Sequence, residues 1–392
     1  MPRLQREREK KKTQPLLPHS LSFSSRDLKR AHRDRAAWLR RQEGKQGEDD
    51  PLVREVASRL VDRLEDCSPR LSSKFRRVLL LGAEPAVLDS LAASSSSLSS
   101  SVEEITVVES SRAKLDLFEE RAREIGRRKS GAEASPSTSN RETLFPSISS
   151  SSSPFLPRIS LVHADEEDYA LPTSRFDVAL SCGGLHWIND LPGLLSRLRR
   201  SLAPDGLLLA AVPGGDSLHE LRRALASAEM TVAGGVSARV SPMIRMRDAG
   251  GLLGRAGFLV PGADVDELVV RYKSFEGAVS HLRGLGESNA VTRRDGRPMR
   301  RGVVEAARAA FARICWEEVQ REEGEEEGGK EKEKGKEVFK STFEIFYLTG
   351  WAPPPAGVKA PQVAERGSAT VSFKELAEAT RKHAEEEGER KK

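Results

Sequence analysis

Short apolar runs bounded by small polar residues alternate along this chain with segments of helical periodicity. Residues 78–81, 105–108 and 159–162 are mainly aliphatic, with Thr106 and Ser160 among them, and have the length of buried parallel strands. Residues 176–181 and 207–212 repeat that pattern. Between these two, Asn189 and Asp190 are helix caps and Pro192 suits a first helical turn. Leu191, Leu194, Leu195, Leu198 and Leu202 then share one helical face, with Arg197, Arg199 and Arg200 outside it. Ala203-Pro204-Asp205-Gly206 is a turn. Strand, helix and strand in that order predict a right-handed βαβ unit of an open parallel sheet.

The same reading predicts helices over 26–41, 52–64 and 114–125, a helix from Asp216, and others over 246–256 and 303–320. In the second, Val53, Val56, Ala57, Leu60, Val61 and Leu64 make a stripe fit to lie on a sheet. A strand near 268–272 and an alternating aromatic strand over 343–348 complete the set. Residues 92–101 and 127–157 are rich in Ser or in Ser and Pro, and 322–338 in Glu, Lys and Gly. All three read as disordered inserts. The organisation is a basic targeting or solvated segment (1–21), a helical extension (22–70), one α/β domain (71–351) and a mobile tail (352–392).

Composition narrows the function. The net charge of +5 sits in the first fifty residues, which carry 14 Lys/Arg against 8 Asp/Glu, so the remainder is close to neutral. Without interleaved aromatics that arm is a generic basic tail, and no nucleic-acid partner is expected. It fits a mitochondrial transit segment only weakly, because Glu7, Glu9 and three consecutive lysines break the pattern. Cys67, Cys182 and Cys315 are odd in number and form no C-x-x-C pair, which disfavours a disulfide framework or a zinc site. No run approaches the roughly 18 apolar residues of a membrane span, so at most peripheral membrane contact is expected. The chain has neither a G-x-S-x-G elbow nor a G-x-x-x-x-G-K-[ST] loop, which removes serine-hydrolase and P-loop readings.

The string FDVALSCGGLHWINDLPGLLSRLRRSLAPDG resembles the fourth and fifth strands of class I S-adenosylmethionine (SAM) methyltransferases of the type 11 group. LHWINDLP followed by GGDSLHELR is narrower, and resembles the methyltransferase-like mitochondrial assembly factors of respiratory complex I. RDLKRAHRDRAA and REVASRLVDRL upstream, and SPMIRMRDAGGLLGRAGF, LRGLGESNA and FEIFYLTGW downstream, extend the match over most of residues 22–351. The resemblance implies a doubly wound, seven-stranded, Rossmann-like sheet. It also implies a mitochondrial matrix location and a complex I core subunit or assembly intermediate as partner. The family is credited with hydroxylating an arginine of such a subunit. Two alternatives stand beside it: methyl transfer to another acceptor such as a carrier-protein carboxyl, and a non-catalytic scaffold.

On this resemblance SAM is held by a glycine-rich turn after strand one, by an acid ending strand two on the ribose, and by a carboxylate after strand three at the adenine. The matching residues are Gly82, Glu109, and Asp165 with its neighbour Glu166, joined by Ser181 at the end of strand four. The family's pattern of an acid followed by Gly-x-Gly-x-Gly has become Leu80-Leu81-Gly82-Ala83-Glu84-Pro85-Ala86, so only Gly82 remains. A β-carbon at 84 and a fixed φ at 85 predict weaker SAM binding or a remodelled pocket. His186 and Trp187 stand where an acceptor is presented, His186 as a general base and Trp187 as a pocket wall. The bland alternative is that both pack the crossover. Asp216 is a helix cap first and an acceptor-site carboxylate second. No metal is expected, although His163-x-Asp165 with His186 or His219 has the residue types of an iron triad.

Overall fold

The computed structural model describes residues 29, 31, 33–34, 50–67, 75–130, 157–288, 299–325, 339–355 and 357–358. Seven strands form one sheet: β1 (Arg77–Leu81), β2 (Glu104–Glu109), β3 (Arg158–His163), β4 (Phe176–Cys182), β5 (Leu202–Pro213), β6 (Leu259–Tyr272) and β7 (Phe339–Trp351). Their order is β3-β2-β1-β4-β5-β7-β6. The first five are parallel, and β7 runs antiparallel between β5 and β6. This is the doubly wound class I methyltransferase architecture that the sequence predicts.

The inner strands β1, β2, β4 and β5 are buried on both faces, which is why they read as apolar runs, whereas the edge strands β3 and β6 are partly exposed. Val78 and Leu80 of β1, with Val178 and Leu180 of β4 and Leu207 and Leu209 of β5, pack into one core. Leu79 and Leu81, with Ala179, Leu208 and Ala210, pack into the other. Onto the first face lie α1 (Pro51–Cys67), α2 (Pro85–Ala93), α4 (Arg112–Ser130), α6 (His219–Ala233), α8 (Phe275–Leu285) and α9 (Arg301–Glu325). The second is covered by α5 (Leu191–Ser201) and α7 (Met246–Arg255). The expected α1 stripe is buried from Val56 to Leu64. Asp190 caps α5 by accepting from the Gly193 N–H, while Leu194, Leu195 and Leu198 are buried.

Four expectations need correction. Residues 92–101 are not a disordered insert: they finish α2 and form α3 (Ser96–Ser101). The Ser95 side chain accepts from the Leu98 N–H, and Leu98 reaches the core, so one leucine anchors the serine run. The strand near 268–272 starts at Leu259, because β7 pairs with it as far as Trp351. The turn at 203–206 lies within β5 as an irregularity, where the partners of β4 jump from Leu202 to Leu207. Asp216 caps no helix: α6 begins at His219, after Leu218 in a left-handed conformation. The expected segment 1–21 and the helix over 26–41, apart from 29, 31, 33 and 34, lie outside the described residues, as do 131–156, 326–338 and nearly all of the tail. Ala356–Lys392 is a separate unit from Met1–Pro355. Among the described residues no helix is long and apolar enough to cross a membrane.

Candidate functional site

In doubly wound sheets, ligands bind at the carboxyl ends of the strands where the winding reverses, here between β1 and β4. Gly183, with φ of +64°, and Gly184 follow β4 at this point. A β-carbon on Gly184 would lie 2.8 Å from Ser181 Oγ and 3.0 Å from the Leu81 carbonyl, so the backbone turns there only without a side chain. A short 3₁₀ turn, Leu185–Trp187, then lifts His186 and Trp187 onto the sheet edge. Their rings are 5.5 Å apart and tilted by 46°.

Glu287 meets both. His186 Nε2–H donates to its two carboxylate oxygens at 3.0 and 3.1 Å, and Trp187 Nε1–H to Oε1 at 3.3 Å. Gly286 makes this possible: it takes φ of +86° at the end of α8, so that the Glu287 N–H returns to the Leu282 carbonyl at 2.9 Å. Burial pushes the Glu287 carboxyl up, but the facing His186, the two hydrogen bonds and the charge of Lys114 hold it below its usual range. His186 Nδ1 is buried and has no hydrogen-bond partner among the described residues. These side chains line a cavity of about 530 Å³, whose walls are chiefly apolar residues such as Leu218, Leu221, Val240, Met243, Phe275 and Ile345.

A second cluster lies beside the first, beyond β2 and β3. Arg33 Nη1 is 2.7 Å from Glu109 Oε1 and 2.6 Å from Glu166 Oε1, and Lys29 Nζ is 2.6 Å from Glu166 Oε2. Glu109 Oε1 also accepts from the Ser111 N–H at 2.8 Å, and Oε2 from the Ala83 N–H at 3.1 Å. All four charged groups are buried. Burial pushes the Glu109 carboxyl up, yet the charge of Arg33, then of Lys114, and the two backbone N–H groups bring it down to about 2. Arg33 is held above its ordinary value by the same two carboxylates against the effect of burial. Asp165 is less central: its Oδ1 accepts from the Glu167 N–H at 2.9 Å and lies 3.8 Å from Lys29 Nζ. Glu166 therefore reaches the crevice while Asp165 closes its turn.

The remaining predicted residues scatter. Gly82 takes φ of +86° and its N–H donates to the Val108 carbonyl at 2.9 Å, so it keeps the first turn tight. Ser181 Oγ donates to the Leu81 carbonyl at 3.1 Å and ties β4 to β1. Asp216 is exposed, with its N–H on Glu344 Oε2 at 2.9 Å, outside the cavity wall. His163 Nε2 meets the Ser110 carbonyl at 3.0 Å, and no group of three or more His, Cys, Asp or Glu that could hold a metal occurs among the described residues. Glu84 caps no N–H of α2, and pairs with Lys114 at 3.3 Å on the cavity wall. Glu109, Glu166 and the Gly82 turn are the residues that would hold an adenosyl group, and Arg33 stands on the carboxylate its ribose would need.

Glu287, Lys29 and Arg33 are not singled out by residue pattern. Their only sequence signal is membership of LRGLGESNA and RDLKRAHRDRAA, the segments that carry the resemblance. Each is far in sequence from the carboxylate or imidazole it meets.

Residues 92–210 match the family model described as a methyltransferase domain. The chain is 37% identical over 215 residues to "Arginine-hydroxylase NDUFAF5, mitochondrial" of Danio rerio, covering 55% of this chain and 60% of that protein. The human protein of the same name is 36% identical over 229 residues, 58% of this chain and 60% of its own length. Malonyl-(acyl-carrier protein) O-methyltransferase of Laribacter hongkongensis (strain HLHK9) is 30% identical over 194 residues, 50% of this chain and 57% of that one. The chain thus spans about three-fifths of the length of the curated relatives it matches. It is a methyltransferase-like protein that resembles the arginine-hydroxylase family whose members carry mitochondrial names.

Proposed function

We propose that this chain is a mitochondrial protein that takes up an arginine side chain of a respiratory complex I subunit during assembly and hydroxylates it. The observation that carries this reading is the Glu287 carboxylate, ionised and fixed by His186 and Trp187 on the wall of the cavity. A guanidinium presents a planar fork of donors that suits a carboxylate, and its face suits an indole. Glu287 Oε2 has acceptor capacity left for one N–H of such a fork, and Trp187 supplies the ring. Hydroxylation of a carbon of that side chain is a two-electron oxidation with dioxygen and a two-electron reductant as co-reactants, one oxygen atom entering the C–H bond and the other leaving as water. Glu287, held by His186 and Trp187, positions the side chain for it. The names of the relatives support the same substrate class.

The matched methyltransferase domain supports SAM, or a related adenosyl compound, as ligand of the neighbouring crevice. No step of the arginine chemistry is derived from it. The test is co-expression of the full chain with a complex I core subunit, followed by intact and peptide mass measurement of that subunit. One added oxygen on an arginine, absent with Glu287→Gln, is expected. No added mass overturns the enzyme in favour of a scaffold, and one added methylene overturns hydroxylation in favour of methyl transfer.

A further inference from the structure

We propose that the chain's own N-terminal arm occupies the adenosyl subsite, so that docking of Lys29 and Arg33 competes with an adenosyl ligand for Glu109 and Glu166. This rests on the reading that the crevice takes an adenosyl ligand, and adds what controls access to it.

Acceptor capacity sets the two occupants against each other. A carboxylate offers about four lone-pair positions. Glu109 already accepts from Arg33, the Ser111 N–H and the Ser110 hydroxyl at Oε1, and from the Ala83 N–H at Oε2. A ribose diol donates two hydrogen bonds, and Glu109 has no room for either while Arg33 stays; departure of Arg33 frees one position at Oε1, and a turn of the Ser110 hydroxyl frees the second. Glu166 is paired at both oxygens with the same arm, Oε1 with Arg33 and Oε2 with Lys29. Lys29 is 1% and Arg33 4% exposed, so neither head group is reaching past the crevice to water.

Charge explains why the arm docks. Glu109 and Glu166 are buried anions, and unpaired they carry a large desolvation cost. Lys29 and Arg33, four residues apart and both helical, deliver two cations from one helical face. A ribose diol replaces part of what Arg33 supplies, so the two occupants substitute for one another. Such coupling is reciprocal: whatever the arm takes from ligand affinity, the ligand takes from docking of the arm. Arg33 also lines the 530 Å³ cavity, so its withdrawal joins the crevice to the space beside His186 and Glu287.

The test is calorimetric titration of S-adenosylhomocysteine into the full chain, into Arg33→Ala and into Lys29→Met, with thermal melts confirming a folded state. Roughly ten-fold or greater tightening in Arg33→Ala is expected, with a smaller gain in Lys29→Met. Equal or weaker binding, or none to any protein, overturns the proposal. Should Arg33→Ala fail to fold, amide hydrogen exchange on the unaltered chain decides. Faster exchange over residues 26–36 at saturating S-adenosylhomocysteine supports competition, and slowed or unchanged exchange refutes it. Loss of binding on removal of Arg33 sinks only the competition, whereas absence of binding throughout also removes the adenosyl ligand. The mass measurement on the subunit is independent of both.

Discussion

The Glu287 carboxylate receives the Nε2 proton of His186 at 3.0 Å, across 101 residues of sequence. The contact joins the loop after β4 to the end of α8, and both ends depend on glycine: Gly183 and Gly184 at one, Gly286 at the other. It fixes the orientation of the imidazole on the cavity wall.

Glu287→Gln and His186→Asn therefore act on the same step. Each is expected to lower the yield of modified arginine roughly 10²-fold or more, the size of the loss when a substrate is misplaced by about 1 Å. The double variant should be little worse than either single one, because a coupled pair is not additive. Multiplying losses, read by mass spectrometry of the co-expressed subunit, would separate the two residues.

The buried Glu109 makes stability depend on acid. Its folded pKa, about 2, lies below the ordinary carboxylate value, so its contribution is full above that ordinary value and is lost as pH falls through about 2. Urea midpoints should drop steeply from about pH 5 to about pH 2, and Glu109→Gln should flatten that fall. At neutral pH the same variant should lose about 3 kcal/mol, the cost of breaking a buried ion pair on one side. An unchanged acid slope would mean that Glu109 is not the group responsible.

Gly184→Ala tests the turn that carries His186. The new methyl would lie 2.8 Å from Ser181 Oγ, and a cost of about 1–3 kcal/mol is expected from overpacking. Ser181→Ala removes the side chain in the way but not the Leu81 carbonyl at 3.0 Å, so the double variant should recover only part of the loss. Full recovery in a thermal melt would show that the backbone contact does not matter.

Glu220 is wholly buried, and accepts the Thr342 N–H at 3.0 Å and the Thr342 hydroxyl at 2.5 Å. It fastens α6 to β7 beneath the cavity. Glu220→Ala strands two buried donors and should cost about 2–3 kcal/mol, while Glu220→Gln keeps an acceptor and should cost less. Equal melting temperatures for the alanine and glutamine variants would contradict this.

The sequence alone determined the sheet. Buried strands must be apolar on both faces, so 78–81, 105–108, 176–181 and 207–212 announce themselves, and Asp190, Pro192 and the leucine stripe mark α5 in the same way. Local chemistry also placed Gly82 at the first turn and Glu109 at the end of β2. The occupant of that acid, and the partner of His186, were decided only in three dimensions. Arg33 is 76 residues from Glu109, and Glu287 is 101 from His186. A lone arginine or glutamate in a polar segment has no periodicity to betray its role. Its importance arises when folding removes water from around an opposite charge, and that is a property of the assembled sheet edge. For the same reason Asp216, a plausible cap by residue type, came to nothing: helix α6 starts where Thr342 accepts the Leu218 N–H and Glu220 is drawn under β7, not where a capping side chain happens to stand.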